Sequence, residues 1–262
     1  MDESELPIVE RRGAVQWITL NRPRLRNALN AMVIDRIGSA IAEADADDRV
    51  RAVVLTGAGD KAFSAGADLR PDADGSPFDS DPEKPDHPAT RLYRTVSRAR
   101  IPIVARVNGD AMAGGVALLS ACDLAVAADH ARIATPEVKI GIFPLLVLPY
   151  LMPTVPRKRL MEMTLTGEPL TAEEAREAGL VNYVVPAAEL DAKLDWLLGR
   201  LIDKSPTGVG LGKYYLNAMA DMSFHQRLDF ADTAFPDLTA TEDCAEGLAA
   251  FNEKRKPVWP GR

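Results

Sequence analysis

Strand patterns alternate with helix patterns along this chain, and that order restricts its fold more than any other feature. Residues 15–23 and 50–57 are rich in β-branched side chains and end in turn formers, whereas residues 30–48 carry apolar side chains at helical spacing. The same order returns in four later segments, at 91–100, 101–109, 114–121 and 123–128. Repeated alternation of this kind predicts an α/β layer architecture.

The C-terminal third has a different pattern. After about residue 156 strand signals nearly stop, and Thr171 with Glu174 forms a predicted capping box at the start of a helix. Further helices are predicted at 187–203, 206–220, 223–234 and 239–252. A late helical region of this kind is expected to pack on the core of its own chain or on a neighbouring subunit.

Composition narrows the class of protein. The chain has 262 residues, of which 47% are hydrophobic and 26% charged, as in a globular enzyme. No run approaches the roughly 18 apolar residues of a membrane span, and the acidic N-terminus does not resemble a signal peptide. Together with two separated cysteines, Cys122 and Cys244, this predicts a cytoplasmic protein with reduced thiols. A net charge of −7 without a basic block argues against nucleic acid as a partner.

The segment between Arg70 and Pro88 is rich in Pro, Asp, Gly and Ser and lacks apolar periodicity. Long segments of this composition within compact domains are usually functional loops or disordered. We expect a mobile loop that flanks the entrance of a ligand site.

Two segments could present backbone N–H groups to an anion. Small residues fill positions 64–67, so a ligand could approach the backbone at Ala67. A helix that begins near Gly114 would leave its first N–H groups without partners. Together they predict an oxyanion hole, although an ordinary tight turn would also explain the first segment.

Five segments together resemble the crotonase superfamily, which contains enoyl-CoA hydratases and isomerases. They are "NRPRLRNALN", "VVLTGAGDKAFSAGADL", "IPIVARVNGDAMAGGVALLSACDLAVAADHARIATPEVKIGI", "LTGEPLTAEEAREAGLVNYVV" and "AFNEKRKP". The resemblance implies a spiral of ββα units, with residues 1–195 forming the core and acyl-CoA site. Residues 196–262 would form a helical region that drives trimerisation, commonly as a dimer of trimers.

The same resemblance assigns site residues. The oxyanion-hole positions of the family fall on Ala67 and Gly114. The CoA-binding positions fall on Arg24, Arg26, Ala28, Lys61, Ala65, Asp68 and Leu69, and Phe251 and Lys254 match positions that a neighbouring subunit contributes. Coenzyme A would enter as part of the substrate, with no other cofactor. His87, His130 and His225 are far apart and show no metal-binding spacing.

Family hydratases use two glutamates twenty residues apart, and this chain keeps one of them. The second falls on Glu137, while the first position is Ala117, since 137 − 117 = 20. A lone carboxylate can move a proton from the α-carbon to the γ-carbon of a 3-enoyl thioester. We therefore expect Δ3 to Δ2 isomerisation, with a buried Glu137 of raised pKa as the acid and base.

Three alternatives remain open. The enzyme could be a hydratase in which other groups position water, or the protein could bind acyl-CoA without turnover. Glu137 itself could be a salt-bridged structural residue.

Bulky side chains at 145–148 stand where hydratases usually have a Gly-rich turn. They predict a strongly apolar acyl pocket that favours an alkyl or terpenoid-like chain. The alternative is that this segment belongs to the core or to a contact between subunits.

Overall fold

A computed structural model describes residues 5–70, 83 and 86–262. The loop predicted between Arg70 and Pro88 lies almost entirely outside these residues, and so does the entrance it was expected to flank. The strands are β1 Ile8–Arg12, β2 Val15–Leu20, β3 Ala52–Gly57, β4 Ala62–Ser64, β5 Ile103–Val107, β6 Asp110–Met112, β7 Leu124–Ala128, β8 Arg132–Ala134, β9 Leu170–Thr171 and β10 Tyr183–Val185.

The helices are α1 Ala31–Asp45, α2 Pro88–Arg98, α3 Gly114–Ala121, α4 Leu148–Thr154, α5 Arg157–Thr166, α6 Ala172–Glu177, α7 Leu190–Ile202, α8 Pro206–Ala218, α9 Phe224–Thr239 and α10 Glu242–Glu253. None of the helices in the described part of the chain is long and apolar enough to cross a membrane.

Consecutive strands are divided between two sheets. The large sheet has the order β1-β2-β3-β5-β7-β10 and the small sheet the order β4-β6-β8-β9. From β3 to β8, each unit adds one strand to the large sheet and the next to the small sheet, after which β9 extends the small sheet and β10 the large one. Neighbouring strands run parallel along β2-β3-β5-β7-β10 and along β4-β6-β8. The two antiparallel pairs are β1 with β2 and β9 with β8. This repeat winds the chain into a spiral, so the predicted α/β class and ββα spiral are confirmed.

The core lies mainly between the large sheet and helices α1, α2 and α3. Ile18 and Leu55 from the sheet pack in one cluster with Ile37 of α1 and Leu118 of α3, and each is at most 1% exposed. The apolar spacing that predicted α1 therefore forms its buried face. Since strands of the large sheet are covered on both faces, they read as continuous apolar runs in the sequence.

The other face of the large sheet is covered by α7. Leu194 and Leu198 of this helix pack with Val54 and Val126 of the sheet. The predicted division at residue 195 falls inside α7, a helix that packs on the core. The helical region begins after Ile202.

The predicted C-terminal helices are present at nearly the predicted positions. The Thr171 capping box also forms, with Oγ1 accepting from the Glu174 N–H at 3.1 Å and the Glu174 carboxylate accepting from the Thr171 N–H at 2.8 Å. Helix α9 runs to Thr239, beyond the predicted end at 234, and none of its residues is buried. The chain thus leaves large apolar side chains exposed on two helices, α9 and α10.

Candidate active site

A cavity of about 590 Å³ lies where the first turns of α1 and α3 meet α2 and the segment 136–147. Ala67, Gly114 and Glu137 all line it. The structure therefore brings together the three residues predicted to be catalytic, although they come from three different units of the fold.

Two backbone N–H groups point to the cavity side by side. Leu29 donates to the Gly66 carbonyl at 2.7 Å and accepts from the Asp68 N–H at 2.8 Å, in a parallel bridge with Ala67. Because alternate N–H groups of an extended chain point to opposite sides, the Ala67 N–H faces away from Leu29. Among the described residues neither this N–H nor that of Gly114 donates a hydrogen bond. A Cβ atom built on Gly114 would lie 3.7 Å from the Ala67 nitrogen, so the two donors are adjacent.

The residue before Gly114 adopts a strained conformation. Ala113 has φ 51° and ψ −120°, which a residue with a side chain rarely adopts and which costs about 1–3 kcal/mol. Its N–H donates to the Ala134 carbonyl at 2.9 Å, next to the pairing of β6 with β8. This conformation turns the chain from β6 directly into α3, whose first N–H groups then face the cavity.

Glu137 lies in a 3-10 turn, Pro136–Ile140, that follows β8. Burial raises the pKa of its carboxyl group above the usual glutamate value. Oxygen Oε2 is buried without a hydrogen-bond partner among the described residues, and Glu137 forms no ion pair with any of them. The salt-bridged structural alternative is therefore wrong. Among the described residues that line the cavity, Glu137 is the sole acidic side chain.

The position of the missing carboxylate is closed to the cavity. Ala117 is completely buried in the main core cluster and is absent from the cavity wall. Its neighbour Leu118 lines the cavity instead. This part of the wall is thus apolar.

Tyr93 of α2 also lines the cavity and was not singled out from the sequence. Its ring packs edge-on against Tyr150 with centroids 5.2 Å apart, and the Tyr150 hydroxyl donates to the Tyr93 carbonyl at 3.0 Å. Burial raises the pKa of Tyr93, with smaller contributions from Tyr150 and from the charge of Glu137. The one sequence signal for Tyr93 is its position next to Leu92, a buried residue of α2.

The predicted apolar wall is present, with one correction. Leu145, Leu146 and Val147 line the cavity, together with Ile142 and Phe143. Leu148 does not line it; this residue begins α4 and packs against the core. For Leu148 the alternative interpretation, a core contact, is therefore correct.

Several predicted CoA-binding positions surround one side of the cavity. Ala65 and Leu69 line it. Arg24, Arg26 and Lys61 are exposed, and the Arg26 carbonyl accepts from the Ala65 N–H at 2.9 Å. Three cationic side chains thus belong to the segments that flank the cavity at Ala65.

Two other predicted CoA-binding positions, Asp68 and Ala28, are buried and bonded to Arg22. Asp68 is 3% exposed, and its carboxylate contacts the Arg22 guanidinium at 2.8 Å. Hydrogen bonds from Arg70 and then Arg22 lower the pKa of Asp68 to about 2. The carbonyl of Ala28 accepts from Arg22 at 2.9 Å, and Ala28 is 8% exposed. Both residues are thus held by the buried Arg22, and their predicted contact with CoA stays a prediction.

Phe251 and Lys254 lie at the C-terminal end of α10, where both are exposed and neither lines the cavity. Phe251 is 82% exposed, which is unusual for a phenylalanine. Neither residue forms part of this chain's own cavity wall.

Comparison with known proteins gives consistent matches over the whole chain. A family model described as enoyl-CoA hydratase/isomerase matches residues 10–262. A probable enoyl-CoA hydratase, echA8, from Mycobacterium tuberculosis is 36% identical over 259 residues, which cover 98% of this chain and 99% of that protein. A carnitinyl-CoA dehydratase from Escherichia coli O157:H7 is 34% identical over 99% of this chain and 100% of its own length.

Solved structures agree with the sequence matches. The crystal structure of an enoyl-CoA hydratase from Mycobacterium smegmatis superposes with a TM-score of 0.87 at 32% identity, covering 97% of this chain and 98% of the other. The arrangement of strands and helices described above is therefore that of the crotonase fold.

Proposed function

This chain belongs to the enoyl-CoA hydratase/isomerase family, and on that premise we propose that it moves the double bond of a 3-enoyl-CoA thioester to the 2-position. The observation that carries this proposal is the polar composition of the cavity. Two free N–H donors face it, and Glu137 is the one acidic side chain among its described lining residues.

The proposed reaction is a proton transfer along the acyl chain. The Ala67 and Gly114 N–H groups hold the thioester oxygen, and the Glu137 carboxylate takes a proton from the α-carbon. The electron pair spreads over a dienolate, whose negative oxygen each donor stabilises by about 2.7–4 kcal/mol. Glu137 then returns the proton to the γ-carbon, so that one carboxylate serves as base and acid.

The cavity wall supports an apolar acyl group. Ile142, Phe143, Leu145 and Leu146 offer no hydrogen-bonding side chain, so a hydroxylated chain would lose its hydrogen bonds to water on entry. An alkyl or terpenoid-like chain fits this surface better. Arg24, Arg26 and Lys61 would meet the phosphates of CoA.

We also propose that the protein assembles as a trimer or a dimer of trimers. Phe224, Phe235, Leu248 and Phe251 on α9 and α10 are each more than 60% exposed. A second copy would cover this apolar surface, and Phe251 and Lys254 would then reach the CoA of the neighbouring subunit.

Hydration of a 2-enoyl-CoA is the second candidate reaction. It is favoured by the names of the relatives, which include enoyl-CoA hydratases and a dehydratase. It requires a group that holds water beside Glu137, because Ala117 supplies no carboxylate.

Turnover of trans-3-enoyl-CoA and trans-2-enoyl-CoA of medium chain length tests these proposals. We expect the wild type to convert the 3-enoyl to the 2-enoyl thioester and Glu137→Gln to lose about 10²–10⁴-fold in kcat while still binding it. Hydration as the dominant reaction would contradict the isomerase proposal. Binding without any turnover would instead support a non-catalytic acyl-CoA-binding protein.

A further inference from the structure

Five polar or charged side chains line the cavity in the part of the chain that the structure describes, and three of them are engaged elsewhere. Asn30 Oδ1 accepts from the Val33 N–H at 3.0 Å, His87 Nδ1 accepts from the Ala89 N–H at 3.1 Å, and Lys139 Nζ contacts Glu168 at 2.8 Å. The remaining two are Tyr93 and Glu137.

Tyr93 is held in place from outside the cavity. The edge-on contact with Tyr150 and the hydrogen bond from the Tyr150 hydroxyl to the Tyr93 carbonyl fix its ring and its backbone. Among the described residues no group forms a hydrogen bond with the Tyr93 hydroxyl. Because burial raises the pKa of Tyr93, this hydroxyl remains a neutral donor at physiological pH.

Tyr93 and Glu137 do not bond to each other, although the charge of Glu137 acts on the tyrosine hydroxyl. Both line the same cavity, where a small molecule that accepts from the hydroxyl and donates to the carboxylate would join them. Water meets this requirement, because it accepts from a hydroxyl and donates to a carboxylate.

We propose that the Tyr93 hydroxyl is a catalytic residue that holds a water molecule for Glu137, giving this site the capacity to hydrate a 2-enoyl-CoA without a second carboxylate. This inference rests on the proposed function, in which Ala67 and Gly114 form the oxyanion hole and Glu137 is the acid and base.

The step balances with water as the co-reactant. Tyr93 donates to the water oxygen, and the Glu137 carboxylate takes one water proton. The water oxygen bonds to C3 of the enoyl thioester, and the π electrons move to the enolate held by Ala67 and Gly114. Glu137 then delivers its proton to C2, which leaves a 3-hydroxyacyl-CoA and a regenerated carboxylate.

The test compares Tyr93→Phe with Tyr183→Phe, since the Tyr183 ring has a similar edge-on contact, with Trp196, but does not line the cavity. Hydration is measured from trans-2-enoyl-CoA in isotopically labelled water, and isomerisation from trans-3-enoyl-CoA, with thermal unfolding of each variant. We expect Tyr93→Phe to lower kcat/KM for hydration at least about tenfold more than for isomerisation. Tyr183→Phe should keep the wild-type ratio of the two rates, even where its melting temperature falls.

Three results would overturn the role of Tyr93: an equal loss of both reactions, no loss of hydration, or a wild type that isomerises but never incorporates labelled oxygen. The last of these leaves the proposed isomerisation intact. Hydration that depends on Tyr93 in a wild type without isomerase activity would support the inference and refute the isomerase proposal.

Discussion

Gly66 lies directly against the amide of Gly114. A methyl group built on Gly66 would stand 2.9 Å from the Gly114 nitrogen and 2.7 Å from the Met112 carbonyl oxygen. Gly66 also has φ 86°, a left-handed conformation that side chains disfavour. The two proposed oxyanion donors, Ala67 and Gly114, are thus adjacent because the residue before the first of them has no side chain.

Gly66→Ala should therefore damage both the fold and the donor pair. We expect a loss of about 2–4 kcal/mol in unfolding free energy and at least about 10²-fold in kcat. Gly199→Ala is the matched control, because a Cβ there meets nothing within 4 Å and the residue lies inside α7. It should gain up to about 1 kcal/mol with unchanged turnover. Wild-type kcat in folded Gly66→Ala would contradict the oxyanion assignment.

The pH dependence of turnover should report the buried environment of Glu137. In the proposed reaction the carboxylate is the base, so activity should fall as pH drops through its pKa, and burial places that pKa above the ordinary value. We expect the acidic limb of kcat/KM to lie above the pKa of about 4.3 of an exposed glutamate. An acidic limb at or below that value would show that Glu137 is not the titrating base.

Glu137→Gln should stabilise the protein although it abolishes turnover. The pKa of Glu137 is higher in the folded protein than in the unfolded chain, because burial disfavours the charged carboxylate. The free energy of unfolding therefore decreases as pH rises from the unfolded-state pKa to the folded-state pKa. The neutral side chain avoids this loss, so we expect a gain of about 1 kcal/mol near pH 8, or about 2–4 °C in Tm. The gain should vanish near pH 4. Calorimetry at both pH values measures it, and a gain equal at both would refute the explanation.

Asp68→Asn should destabilise the fold rather than weaken CoA binding. The substitution removes the charge that pairs with the buried Arg22 guanidinium at 2.8 Å and leaves that guanidinium with the Glu5 carboxylate at 3.0 Å, which costs about 1–3 kcal/mol. Since the pKa of Asp68 is lowered to about 2, its stabilisation is present above about pH 4 and is lost as pH falls from about 4 toward 2. Urea unfolding measures both effects. The exposed Asp48→Asn should change stability by less than about 0.5 kcal/mol.

Lys61→Ala and Arg26→Ala test the CoA side of the cavity. Each should raise KM for an acyl-CoA by about fivefold and leave KM unchanged for the matching acyl-pantetheine, which lacks the nucleotide and its phosphates. Lys193→Ala on α7, across the large sheet, should change neither value. An equal effect on both thioesters would show that these cations do not meet the nucleotide end.

Much of the fold followed from local patterns. The period of apolar residues predicted α1, the apolar segment near 114–121 matches α3, and Thr171 with Glu174 formed the expected capping box. These features depend on contacts within one or two turns, which a sequence displays directly. The length of α9 was underestimated, because Pro236 in its last turn did not end the helix.

What the sequence determined by itself was the architecture and the presence of one carboxylate, since twenty residues separate Glu137 from Ala117. Tertiary structure alone decided that Asp68 is paired with Arg22, that Ala117 faces the core and that Tyr93 lines the same cavity as Glu137. Each of these facts depends on how separate units of the spiral stack, which brings together side chains distant in the chain. Local periodicity predicts which face of an element is buried, but the partner of each side chain is set by that stacking.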